Sequence, residues 1–269
     1  MRRRSIGCAT AQFVLDGAGQ REALATALLD CLADPRPHLR EIAFEALAAW
    51  LRAGLLPVAQ RQAMQRELSQ RLTAEDATGF GRPFAALAAE LTRADRLAPW
   101  LAPQERDALV RTATAYLRDL HDYRGFDAAQ GWRHGVAHGA DRLMQLALNP
   151  ALSRDQVDAI MQAVAAQVAP AGVHFHIYGE GERLARPILF VAQRGLHEAA
   201  GWSAWPAVLA QPAPRPTWHA SLETQEGLAR KHNTQAFLQV LYVMVRESGS
   251  EAVQRRLLPG LLDALKALP

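Results

Sequence analysis

The chain has 269 residues, 49% of them hydrophobic, with 30 Lys and Arg against 27 Asp and Glu, and two cysteines. That content can bury a sizeable core and excludes wholesale disorder. No apolar run approaches the about eighteen residues that a membrane-spanning helix needs. Cys8 and Cys31 are too few for a disulfide framework or a four-cysteine zinc site, so a reducing compartment is expected. Only Lys231 and Lys266 are lysines. The excess of arginine over lysine reads as the imprint of a GC-rich genome rather than a nucleic-acid footprint.

The chain opens on three arginines followed by Ile6-Gly7-Cys8, which looks like part of a lipobox. The apolar h-region is missing, so a cytoplasmic protein with a solvated arm over residues 1–15 is expected. Helical periodicity then dominates. Segment 21–33 places Leu24, Ala27, Leu28 and Leu32 at helical spacing, and segment 38–53 repeats the pattern with Ile42, Ala46, Ala49 and Trp50. The stretch from Asp34-Pro35 through Arg40 to Leu47 has the form of a HEAT-type repeat, in which a loop Asp and a helix Arg tie helical pairs together. Further helices are expected at 57–73, 80–95 and 104–120.

Asp127…Gln130 and Ser153…Gln156 both read as capping boxes. The first predicts a helix from Asp127 to Asn149-Pro150, the second a helix ending at Pro170. Val173 to Tyr178 alternates and is the one extended piece expected in this half, followed by a helix over 180–199. Four prolines between 206 and 216 predict a stiff connector, residues 206–218. Beyond it, 219–269 should form helices packed on a core of residues 15–205. Segment 234–246 is apolar all round, which predicts a buried helix. The fold class expected is all-α, a single domain of stacked antiparallel helical pairs in a HEAT-like α-α superhelix.

Six of the nine histidines lie between residues 121 and 197. On a helix, His134, His138 and Asp141 fall on one stripe. Imidazoles and a carboxylate on successive turns can hold a divalent metal, or form an Asp-oriented histidine that carries a proton. They can equally form a buried network that locks helices together. Gly135 and Gly139 each cost about 1 kcal/mol relative to Ala in a helix, so a close helix or a ligand must need the missing side chains. Trp132 reads as a core anchor, and His174 and His176 as partly exposed polar groups rather than ligands. The glutamate of the HExxH signature is absent.

At these residues the sequence resembles the bacterial family called domain of unknown function 2785. Its features correspond to Arg82 and Phe84, to Asp122, Arg124 and Gly125, to Gly131 through Asp141, and to Glu180, Glu182, Arg183 and Leu184. Pro83 and Gly181 interrupt two of these segments. The match spans residues 34 to 200. The resemblance implies an all-helical, HEAT-like protein and supplies no activity.

Two functions follow. One is a binding protein for a protein or small-molecule ligand, with Arg82, Asp122, Arg124, Trp132, His134, His138, Asp141, Glu180, Glu182 and Arg183 around one polar pocket. The other is a hydrolase in which His134, His138 and Asp141 hold a divalent metal or activate water, with Glu182 as acid/base. Arginines scattered among acids argue against duplex DNA, and no membrane partner is expected.

Overall fold

The computed structural model describes residues 13–85 and 88–269. The expectations for Ile6-Gly7-Cys8 and the leading arginines lie outside the described residues. The architecture is all-α. Helices α1 (Ala18–Cys31), α2 (Pro37–Arg52) and α3 (Val58–Thr73) open it, and α1 packs on α2. Pro37 sits in the first turn of α2, where its missing N–H costs nothing. The buried stripe of α2 is Arg40, Ala43, Leu47 and Trp50, whereas Ile42 is 52% exposed. In α1 the buried residues are Ala25 and Leu29, and Leu24 is exposed. The expected Ala46, Ala49, Trp50 and Leu32 are buried and only part of each stripe departs, because an Ala- and Leu-rich helix has more than one apolar face and periodicity alone does not choose between them.

The helix expected over 80–95 is instead a short turn, α4 (Gly81–Phe84), and a separate α5 (Ala88–Leu97), followed by α6 (Pro103–Arg118). Asp95, buried in α5, accepts from the Trp100 and Leu101 amides and pairs with Arg106, so it holds the α5–α6 connection.

The largest correction concerns Asp127. It starts no helix. Its carboxylate accepts from the amides of Ala129 and Gln130 and shapes the turn of a small hairpin, β1 (Phe126–Asp127) and β2 (Gly131–Trp132). Gly131 supplies the positive φ of 75° that the hairpin needs. Helix α7 runs only from Gly135 to Ala147. The same local bonding by an Asp side chain can start a helix or a turn, and here the tertiary partner decides. That partner is Arg40, fully buried, which donates to the Asp34, Gln130 and Trp132 carbonyls.

The second capping box is present: Gln156 N donates to Ser153 Oγ, and Ser153 N to Gln156 Oε1, at the start of α8 (Arg154–Val168). Residues 173–178 join no sheet among the described residues. Asn233 holds them, its side chain accepting from His176 N and donating to the His174 carbonyl. Helix α9 (Glu180–Gln193) ends before the expected residue 199, at a turn where Gly195 has φ 68°. Helix α10 (Ala199–Leu209) contains Pro206, so the proline-rich connector is shorter than expected and precedes α11 (Trp218–Leu222). Helices α12 (Gln225–Arg246) and α13 (Glu251–Ala267) pack on one another and onto α9 and α10. Phe237, Leu238, Leu241 and Val245 are buried, but Val243 is 57% exposed, so α12 is not buried all round. One cluster of buried apolar side chains runs from Ala25 to Ala264. No described helix is long and apolar enough to cross a membrane.

Candidate functional site

Helix α7 lies at the centre, against α4, α5, α6, α8 and α9. Its N-cap is His134, held in the left-handed region at φ 55°. His134 stacks on Trp132, ring centroids 4.0 Å apart and planes 6° from parallel. Trp132 is therefore a half-buried stacking surface rather than the core anchor expected. Behind the hairpin, Arg40 and Arg133 lie over the Phe80 ring at 3.8 and 4.3 Å, within cation–π range.

One turn on, His138 sits between Phe44, stacked at 6.1 Å, and Phe84, edge-on at 5.3 Å. Its Nδ1 is 3.0 Å from the Pro83 carbonyl oxygen. A carbonyl only accepts, so Nδ1 carries the proton and Nε2 of the neutral ring carries a lone pair. Burial pulls the imidazole down to about 3, against the pull of the Pro83 carbonyl, with help from His134 and Arg183. His134 is brought down to about 4, also by burial and then by Arg183.

Asp141 faces a different set of groups. Arg183 grips it with two hydrogen bonds, and Arg186 lies 3.8 Å away. Burial pushes the Asp141 carboxyl up, and the two arginines oppose that. His138 and Asp141 line a cavity of about 570 Å³ between α2, α5, α7 and α9. Its charged walls are Arg52, Arg93, Arg183 and Arg186 against Glu90 and Asp141. Arg52 pairs with Glu90. Arg93 has no side-chain hydrogen bond or ion pair among the described residues. Phe44, Ala89 and Met144 supply an apolar wall.

The other expected pocket residues do not join this cavity. Arg82 and Asp122 line a second one of about 360 Å³, with Asp76 and Tyr116. Arg124 pairs with Asp122 at 2.5 Å, so Arg82, Arg124 and Arg183 do not share one pocket. His134 lines neither of these two cavities. Glu182 is exposed and pairs with Arg186 one turn along α9. Glu180 is 5% exposed, accepts from Tyr178 N and lies beside His174 and His176. His176 is itself buried, contrary to expectation. A Cβ on Gly135 or Gly139 would come within 2.9–3.0 Å of Leu120, Leu117 or Tyr116. Close approach by α6 and the loop after it, not a ligand, therefore accounts for both glycines.

Sequence reasoning missed Arg52, Arg93, Arg186 and Glu90. Spacing carried a partial signal, since Glu90 and Arg93, like Arg183 and Arg186, are three apart and share a helix face. Nothing in the sequence says that the two faces meet.

No curated protein and no solved structure matches the chain. A family model described as "Protein of unknown function (DUF2785)" matches residues 68–243. It begins and ends later than the 34–200 read from motifs, leaving out the HEAT-type stretch at Asp34–Leu47 and reaching into α12. With about two thirds of its length matched, the motif run through Gly131–Asp141 included, the chain belongs to the DUF2785 family of proteins of unknown function.

Proposed function

We propose that the protein binds a small anionic ligand, a carboxylate or phosphate with a compact apolar part, in the arginine-lined cavity between α2, α5, α7 and α9. The observation that carries this reading is the wall itself: four guanidinium groups against two carboxylates, with Arg93 free of partners among the described residues. Guanidinium groups recognise carboxylate and phosphate oxygens through paired donors. A volume of about 570 Å³ falls in the ordinary range for small-molecule sites. Helix-on-helix packing of α1 with α2 and of α12 with α13 supports a HEAT-like scaffold around the cavity.

A hydrolase built on His134, His138, Asp141 and Glu182 is the weaker reading. A histidine held near 3 is a poor proton carrier at neutral pH. Asp141 is occupied by Arg183, and Glu182 points to Arg186.

Calorimetric titration with inorganic phosphate and with a short dicarboxylate tests the proposal. Saturable, salt-sensitive binding is expected, weakened about tenfold by Arg93→Gln, as losing one charge-assisted contact implies. Absence of saturable binding to both probes, or equal affinity in the variant, overturns it.

A further inference from the structure

A second group of polar side chains lies apart from the arginine cavity, where the loop after α8 enters α9. His174, His176 and Glu180 each offer a ligand atom, and these atoms lie within 4.8 Å of one another. His174 and His176 alternate along irregular chain, and Glu180 is the first residue of α9.

The hydrogen bonds decide which nitrogens are available. His176 Nε2 is 2.8 Å from the Gln167 carbonyl oxygen, so Nε2 carries the proton and Nδ1 carries a lone pair. That Nδ1 is buried and has no partner among the described residues, and the same is true of His174 Nε2. His176 is 7% exposed and Glu180 5%. Buried polar atoms are almost always hydrogen-bonded, so two unpartnered imidazole nitrogens beside a buried carboxylate call for a ligand that accepts lone pairs. Packing explains part of the arrangement, since His174 stacks on Tyr123 at 4.5 Å. The stack covers the ring face and leaves the edge nitrogen unexplained.

We propose that His174, His176 and Glu180 bind a divalent transition-metal ion of the zinc type through two imidazole nitrogens and one carboxylate oxygen. Imidazole and carboxylate donors suit such an ion, and three protein ligands leave a fourth position for water or another ligand. Bonds of about 2.1 Å would set the ligand atoms roughly 3.4 Å apart, so binding the ion would draw them together from separations of up to 4.8 Å. The surrounding bonds are those a metal ligand needs. The Gln167 carbonyl fixes the His176 ring from its far side, as a carbonyl does behind many metal-bound histidines. Tyr178 N orients Glu180, and Asn233 holds the backbone of both histidines. Bound there, the ion would fasten the α8–α9 loop to the start of α9. The site is separate from the arginine cavity, and neither proposal depends on the other.

The test uses the full-length untagged chain, stripped with chelator and re-equilibrated with Zn²⁺ alone. Elemental analysis should find one zinc per chain, and zinc should raise the melting temperature. His174→Gln and Glu180→Gln should each weaken zinc binding at least tenfold and remove most of the thermal shift. The double variant His134→Asn/His138→Asn should keep the zinc. Buried His176 invites a folding defect, so the two milder variants decide the matter, and Co²⁺ bound to the wild-type chain should show the visible bands of a low-coordinate nitrogen–oxygen site. Less than one zinc at saturation, or unchanged affinity in both milder variants, overturns the proposal.

Discussion

His138 makes the protein's stability depend on pH in a direction that can be worked out in advance. Burial holds its folded-state value at about 3, while in the unfolded chain an imidazole titrates near 6.5. Between those limits the unfolded state binds a proton that the folded state refuses. Stability is therefore complete above about pH 6.5 and falls as the pH drops through this window. Between pH 7 and pH 5 the loss attributable to His138 is about 2 kcal/mol, at 1.36 kcal/mol per unit of separation. His134, held at about 4 but only half-buried, adds the same sign and about 1 kcal/mol after allowance for solvent screening. Burial also lowers His174 and His176, so they act in the same direction. The substitution His138→Asn keeps a donor near the Pro83 carbonyl but does not titrate. Urea unfolding of both proteins at pH 7 and pH 5, at one ionic strength, isolates the His138 contribution because all other titrating groups are shared. The variant should be less stable at pH 7, having lost its ring between Phe44 and Phe84, yet lose about 2 kcal/mol less than wild type on going to pH 5. Equal losses in the two proteins would refute the burial argument for His138.

Other substitutions read other parts of the structure. Gly139→Ala places a Cβ 3.0 Å from Leu117 and Tyr116 and should cost about 1–2 kcal/mol net of the helix-propensity gain. Gly201→Ala, where nothing lies within 4 Å, should stabilise by about 0.5–1 kcal/mol, and thermal melts of the pair give the comparison. Arg40→Met leaves the carbonyls that Arg40 holds without their donor and should cost about 3 kcal/mol in urea titrations. Asp141→Asn removes the carboxylate that occupies Arg183 and should tighten phosphate binding severalfold in calorimetry, whereas weaker binding would place the anion elsewhere.

The helical character was legible because it rests on local terms. Ser153 and Gln156 cap α8 through groups three residues apart, and Pro37 opens α2. The family was legible from the run Gly131–Asp141, whose order and spacing are specific. The hairpin at Asp127 was not, because it depends on Arg40, about ninety residues away, and on the positive φ of Gly131. The exposure of Ile42 and Leu24 was hidden by the abundance of alanine, which makes several helix faces equally apolar.

By itself, the sequence determined an all-helical chain, the approximate bounds of α2, α3, α6 and α8, and a histidine-rich stretch at its centre, since caps, prolines and periodicity act over a few residues. Only the tertiary structure decided which polar groups meet. It gave His138 to the Pro83 carbonyl and Asp141 to Arg183, split Arg82 and Arg183 between two cavities, and turned His174 and His176 toward Glu180. Those pairings join residues from separate helices and loops. They follow from how helix faces pack, and spacing along a single chain carries no record of that.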